Sequence, residues 1–128
     1  MTAIVSKELL DEAVRFHGHL GPFLVLGLRM SLRAQKILGE KPAKCEVETT
    51  NIKPFLCAVD GMKVGIGCNS IAVQEGDGLV ANFSILDGKT ATVKVKKTLI
   101  EKYAAGPWER NDEYALEVLE SSEDQLFV

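Results

Sequence analysis

The strongest constraint on the fold is a predicted hairpin near residue 88. Two segments with alternating apolar and polar residues, 79–86 and 89–97, flank the dipeptide Asp87-Gly88. An Asp-Gly dipeptide between alternating segments fits a two-residue primed turn, so the sequence predicts two long antiparallel strands. The residues expected to form the core face of this hairpin are Phe83, Ile85, Ala91, Val93 and Val95.

Two helical patterns precede the hairpin. Ser6 stands before an amphipathic pattern that should end near Phe16, and it is expected to cap that helix. A second pattern runs from Pro22 to Leu38 and stops at Gly39. Because this second segment is apolar nearly all round in its first half, it is predicted to be the central core helix.

Shorter patterns complete the predicted element order. They are a strand over 45–50, a short helix over 54–64, a turn over 65–69, a strand over 71–74, a helix over 99–104, a last helix capped by Asn111 or Asp112, and a short edge strand over 126–128. We therefore predict an α+β fold in which an antiparallel sheet with a long hairpin packs against several helices, without βαβ alternation.

The composition fits one domain, expected to span residues 1–128. A net charge of −3 disfavours binding to nucleic acid, and no apolar run is long enough to span a bilayer. Three cysteines without a secretory leader form a poor disulfide framework. These features predict a cytoplasmic protein whose thiols are available for packing, metal binding or reaction.

The two histidines of the chain are the first candidate ligands. His17 and His19 flank Gly18 between the two predicted helices. In an extended loop their side chains point the same way, and imidazole is a common metal ligand and acid-base group. Pro22 opens a helix whose N-terminus favours a thiolate or an anion beside them. The alternative is that one histidine caps the preceding helix while the other packs.

Cysteines supply the second set of candidates. Cys57 and Cys68 could each be packed in the interior instead. Cys68 is the better candidate of the two, because it lies in the predicted turn after Gly67, where side chains commonly reach a site. Asp60 shares a helix face with Cys57, one turn away, and could be a ligand, a partner that orients a histidine, or a helix-end acid. Cys45 is assigned to the core of a strand.

The segment Phe-His-Gly-His-Leu-Gly-Pro at 16–22 resembles the signature of the FmdE-like family, which is named after formylmethanofuran dehydrogenase. That family then has a Cys-x-x-Asp segment, a Gly-Cys turn and a hairpin that ends in basic residues. Residues 57–60, 67–68 and 79–97 follow that order here, so the resemblance covers roughly 6–120. Gly21 and Phe23 stand where the family usually has cysteine and glycine.

The resemblance implies an α+β core, homodimers, and a pocket formed by the His-Gly-His segment and cysteines. It links the chain to one-carbon metabolism related to methanogenesis and to a larger molybdenum or tungsten oxidoreductase. Some relatives carry a C-terminal zinc finger, which is expected to be absent here because no paired cysteines follow the core.

Three functional hypotheses follow from these residues. The first is a metal-binding domain in which His17, His19, Cys57 and Cys68 hold a divalent transition metal, most suitably zinc. The residues expected to line or support this site are Asp60, Gly18, Pro22 and Gly67. The second is a metal-free accessory module for a small anionic cofactor or a partner oxidoreductase. The third is a thiol catalyst that uses Cys68 with a histidine base.

Overall fold

The computed structural model describes residues 5–50, 55–67 and 71–128. Its helices are α1 (Lys7–His17), α2 (Pro22–Leu38), α3 (Cys57–Ile66), α4 (Lys97–Ala105), α5 (Asn111–Glu120) and α6 (Glu123–Leu126). Its strands are β1 (Lys44–Thr49), β2 (Ile71–Glu75), β3 (Leu79–Ser84) and β4 (Thr90–Lys94), and a 3₁₀ turn spans Trp108–Arg110. Within these described ranges no helix has the length and apolar character needed to cross a membrane.

The four strands form one mixed sheet in the order β2-β1-β3-β4. Strand β3 pairs antiparallel with both β1 and β4, whereas β1 and β2 are parallel. Helix α3 lies between the two parallel strands in the sequence. It brings the chain back to the end of the sheet where β1 began, so that β2 can run in the same direction as β1. The α+β prediction is confirmed, but the prediction of an entirely antiparallel sheet without a βαβ unit was wrong at this edge.

The predicted hairpin is present with a different turn. Ile85 pairs with Lys89, which leaves a three-residue loop at 86–88. The Gly88 N–H donates to the Ile85 carbonyl, and Gly88 has a φ of 97°. A three-residue loop that ends in a left-handed glycine is typical of a type I turn with a bulge, and it replaces the predicted two-residue turn. The Asp87 carboxylate accepts a bond of 2.8 Å from the Lys89 N–H and stabilises the loop.

Three other predicted element ends differ in the structure. Helix α3 continues through the predicted turn to Ile66, and Gly67 forms its left-handed C-cap. Strand β4 ends at Lys94 because α4 begins at Lys97. The predicted C-terminal strand is reduced to one bridge between Val95 and Phe127, since α6 takes up the residues just before it.

Helix α2 is the centre of the fold, as predicted. One side of it packs with the sheet in the main core, and the other side, through Leu24 and Leu28, contacts Ala13 of α1. Its N-terminus at Pro22 and its C-cap at Gly39 match the sequence prediction. Ser6 caps α1, whose last residue is His17, so this histidine belongs to a helix end and not to a loop.

Helices α2 and α3 touch through their backbones. A Cβ placed on Gly61 would lie 2.2 Å from the Leu24 carbonyl oxygen, and one on Gly27 would lie 2.0 Å from that of Ala58. Only glycine permits so close an approach. This contact fixes the start of α3, and therefore Cys57, against the start of α2.

A buried arginine joins α2 to the C-terminal helices. Arg29 is 1% exposed, and its guanidinium donates to the backbone carbonyls of Val118 and Leu119 at 2.8 and 3.2 Å. These carbonyls lie at the negative end of α5, where a cation is favourable. Burial lowers the pKa of Arg29, opposed by the nearby Glu123 carboxylate. The position of α5 is thereby tied to the central helix.

Candidate metal centre

Three side chains from separate segments converge near the start of α2. Potential ligand atoms of His17, His19 and Cys57 all lie within 4.8 Å of one another. His17 is the last residue of α1, His19 follows in the connection to α2, and Cys57 is the first residue of α3. This group of two imidazoles and a thiol could hold a metal ion.

His17 is held in one orientation by Asp60. Its Nδ1 lies 2.6 Å from Oδ2 of Asp60, and its side chain is only 6% exposed. With a carboxylate as acceptor, the proton of the neutral ring belongs on Nδ1, which leaves Nε2 with a lone pair. Among the residues that the structure describes, no group forms a hydrogen bond with the buried Nε2. The predicted one-turn spacing of Cys57 and Asp60 thus brings both to the same histidine.

The second histidine lies between His17 and an exposed tryptophan. The ring centroid of His19 is 4.5 Å from that of His17 and 5.1 Å from that of Trp108. Trp108 is the only tryptophan in the chain, and it is 69% exposed. Sequence reasoning did not select it, because its position just after Gly106-Pro107 indicated only the end of a helix.

A cavity of about 180 Å³ opens beside these rings. Its apolar wall comes from Phe23, Leu24, Tyr103 and Ala104, and its polar wall from His17, His19, Cys57 and Asn111. Gly21 and Pro22 at the N-terminus of α2 also line it. The positive end of the α2 dipole therefore lies at the same cavity as the thiol, and a helix N-terminus favours a thiolate over a thiol.

Asn111 closes the cavity next to Gly21. Its side-chain amide donates to the Leu20 carbonyl at 2.6 Å, so it links α5 to the histidine segment and does not cap α5 as predicted. A Cβ on Gly21 would lie 3.0 Å from the Asn111 amide nitrogen. Asn111 therefore occupies the space into which a side chain at position 21 would point.

The other predicted site residues have different positions. Pro22 lines the cavity, whereas Gly18 and Gly67 are the left-handed C-caps of α1 and α3. Cys68 lies outside the described residues. Cys45 is 1% exposed in β1 and belongs to the core, as predicted.

The chain is similar in sequence to known proteins. A probable S-adenosyl-L-methionine-binding protein of Archaeoglobus fulgidus is 41% identical over 65 residues, which are 48% of this chain and 18% of that protein. The match thus spans less than a fifth of the relative's length. The family model described as FmdE, molybdenum formylmethanofuran dehydrogenase operon, matches residues 16–128. That match covers most of the chain, from Phe16 through the whole sheet and α5, and the protein therefore belongs to the FmdE family.

Proposed function

We propose that this FmdE domain binds a divalent transition metal, with zinc the most suitable, through His17, His19 and Cys57. The observation that carries the proposal is the buried Nε2 of His17, which Asp60 leaves without a proton and which has no partner in the described structure. A buried nitrogen lone pair of this kind is costly unless something binds it. A metal ion would satisfy it.

The donor set fits zinc. Zinc is bound by imidazole nitrogen at about 2.0–2.1 Å and by thiolate sulfur at about 2.3 Å, usually in tetrahedral geometry. Ligand atoms in such a site are about 3.5 Å apart, so atoms now within 4.8 Å need to move by about an ångström. Asp60 would serve as the carboxylate that fixes the ligating tautomer of His17.

The fourth coordination position would determine whether the metal has a structural or a catalytic role. We propose that this position is open toward the cavity, because Cys68 follows Gly67 at the opposite end of α3 from Cys57, and ten helical residues span about 15 Å. Four protein ligands are typical of a structural site, whereas three ligands with an open position toward the cavity are typical of a catalytic one. In the open form a bound metal would act as a Lewis acid.

The direct test is the metal content of protein purified without a histidine tag. We expect about one zinc per chain, strongly reduced by His17→Ala and Cys57→Ser, with Cys45→Ala as the matched thiol control. Cys68→Ser, which changes the thiol that follows the far end of α3 in the sequence, should leave the zinc content unchanged, and a loss of zinc in this variant would show that Cys68 is a ligand. Metal content that none of these variants changes would contradict the proposal.

We further propose that the domain acts beside a formylmethanofuran dehydrogenase-related oxidoreductase in the cytoplasm, as a homodimer. The family description supports the metabolic link. Light scattering on the purified protein tests the dimer, and co-purification from a cell that contains such a dehydrogenase tests the partner. A monomer that never co-purifies with the enzyme would contradict these two proposals.

Thiol catalysis is a second candidate. The sequence predicted it for Cys68, and the described residues support it for Cys57. Cys57, His17 and Asp60 follow the order of nucleophile, base and orienting acid. In this case metal-stripped protein should react with iodoacetamide at Cys57, and Asp60→Asn should slow that reaction. An alkylation rate unaffected by Asp60→Asn would reject this candidate.

A further inference from the structure

A second pocket adjoins the candidate metal centre on the other side of His19 and Trp108. It has a volume of about 290 Å³. Its lining residues are His19, Leu20, Trp108, Glu109, Asn111 and Asp112. Three of these, His19, Trp108 and Asn111, also line the cavity described above, so the inner cavity and this outer pocket share one wall.

The outer pocket is negatively charged. Glu109 and Asp112 are exposed, and neither forms an ion pair with a described residue. The nearest basic residues along the chain are already paired: Arg110 with Glu113, and Lys102 with Glu117. The pocket thus presents two carboxylates whose charge is not offset.

The indole of Trp108 adds a second preference for a cation. The residue is 69% exposed, and the faces of exposed aromatic rings attract ammonium and guanidinium groups. Tyr114 already has Lys102 and Arg110 near its ring at 5.4 and 4.9 Å. Within the described residues no lysine or arginine lies over Trp108. The ring of His19 is its neighbour at 5.1 Å, and the exposed remainder of the indole is accessible to a ligand.

The inner cavity, which contains the proposed metal centre, also has room for part of a ligand. The side chain of His17 is only 6% exposed, and its Nε2 has no hydrogen-bond partner among the described residues. His17 lines the cavity and Asp60 does not, so the ring nitrogen that does not contact Asp60 is the one on the cavity side. The cavity of about 180 Å³ is comparable to an engineered cavity of about 150 Å³ that binds benzene. Its mixed aromatic and polar lining is typical of small-molecule sites.

We propose that the two pockets form one ligand site for a molecule with a small flat apolar part and a cationic group. The flat part would occupy the inner cavity, and an ammonium, guanidinium or sulfonium group would lie between Trp108 and the carboxylates of Glu109 and Asp112. The inner half rests on the proposed metal centre, whereas the cation preference of the outer half does not. An anionic cofactor would be repelled from the outer pocket.

Trp108 makes the test direct, because its fluorescence is the only tryptophan signal of the chain. Three probes of similar size but different charge are titrated: benzyltrimethylammonium, benzyl alcohol and benzenesulfonate. We expect the cation to bind about ten-fold more tightly than the alcohol, and the sulfonate to bind most weakly. The double variant Glu109→Gln, Asp112→Asn should reduce the preference for the cation to within about two-fold.

The control is Glu120→Gln, Asp124→Asn, which removes the same charge from positions outside both pockets. It should keep the full preference. Equal binding of all three probes, or a preference that survives Glu109→Gln, Asp112→Asn, would overturn the proposal. The titrations are run on metal-stripped and zinc-loaded protein. If the protein prefers the cationic probe but binds no zinc, the cation site is supported and the metal centre is rejected. If it binds one zinc per chain but shows no charge preference, the metal centre is supported and the cation site is rejected.

Discussion

At the scale of the residue, the site depends on the different surroundings of the two ring nitrogens of His17. Asp60 accepts from one nitrogen at 2.6 Å, and the other lies buried with no described partner. Carboxylates that orient a ligating histidine contribute to metal affinity without touching the metal. Asp60 is therefore a positioning residue.

We predict that Asp60→Asn weakens zinc binding by about ten-fold or more, because a neutral amide holds and polarises the imidazole less well. The measurement is competition for zinc against a chelator of known affinity, with Asp124→Asn as the matched control. Unchanged affinity in Asp60→Asn would show that the contact between His17 and Asp60 plays no part in metal binding.

The sequence predicted the histidines and the helix spacing of Cys57 and Asp60, because both are local patterns. It did not predict Trp108 or the role of Asn111, whose amide reaches Leu20 across 91 positions. Such a contact leaves no periodic trace in a single sequence. An exposed tryptophan beside a Gly-Pro break was the only available signal.

At the scale of the element, the contact between α2 and α3 positions Cys57. We predict that Gly61→Ala lowers the free energy of unfolding by about 2–3 kcal/mol, because the new Cβ would lie 2.2 Å from the Leu24 carbonyl oxygen. It should also weaken metal binding, since α3 must move away from α2. Urea unfolding and zinc competition measure the two effects.

Gly88→Ala is the control for that prediction. Gly88 has a positive φ, and a Cβ on it would meet nothing within 4 Å, so the cost is backbone strain of about 1 kcal/mol. Metal affinity should be unchanged. If Gly61→Ala is no worse than Gly88→Ala, the close helix contact is not a constraint on the site.

Polar contacts between helices α4 and α5 support the part of the cavity wall that Tyr103 and Ala104 form. Hydrogen bonds from Lys102 and then Tyr103 lower the pKa of Glu117, and burial followed by the bond to Glu117 raises the pKa of Tyr103. The contribution of Glu117 to stability is thus present above its unfolded pKa of about 4.3 and is lost as the pH falls through its lower folded value.

We therefore predict that Glu117→Gln flattens the acid end of the stability curve below about pH 4.5. Glu117 is 38% exposed, so the effect should be under about 1 kcal/mol. Urea midpoints from pH 3 to 7 check this, with Glu120→Gln as the exposed control. Identical pH curves for wild type and Glu117→Gln would contradict the role of these bonds.

Element prediction succeeded where the pattern was local. Both N-terminal helices and the hairpin follow from periodicity and from turn residues. The parallel direction of β2 could not be predicted from the sequence. A strand of five residues carries no information about which strand it pairs with or in which direction. The parallel pairing with β1 depends on how α3 carries the chain back.

At the scale of the whole molecule, the sheet lies on one side of α2, and the site lies at the N-terminal end of that helix. The end of α1, the start of α3 and the α4–α5 connection meet there. The sequence indicated most of these segments but not their meeting point, which is set by backbone contact between α2 and α3 and by the Arg29 contact with α5.

If His17, His19 and Cys57 bind one metal ion together, that ion has both nitrogen and sulfur ligands. X-ray absorption at the zinc edge of the untagged protein tests it most directly. We predict a sulfur shell at about 2.3 Å and a nitrogen shell at about 2.0–2.1 Å, with sulfur reduced or lost in Cys57→Ser. A zinc spectrum with no sulfur shell, or one that Cys57→Ser leaves unchanged, would contradict the account.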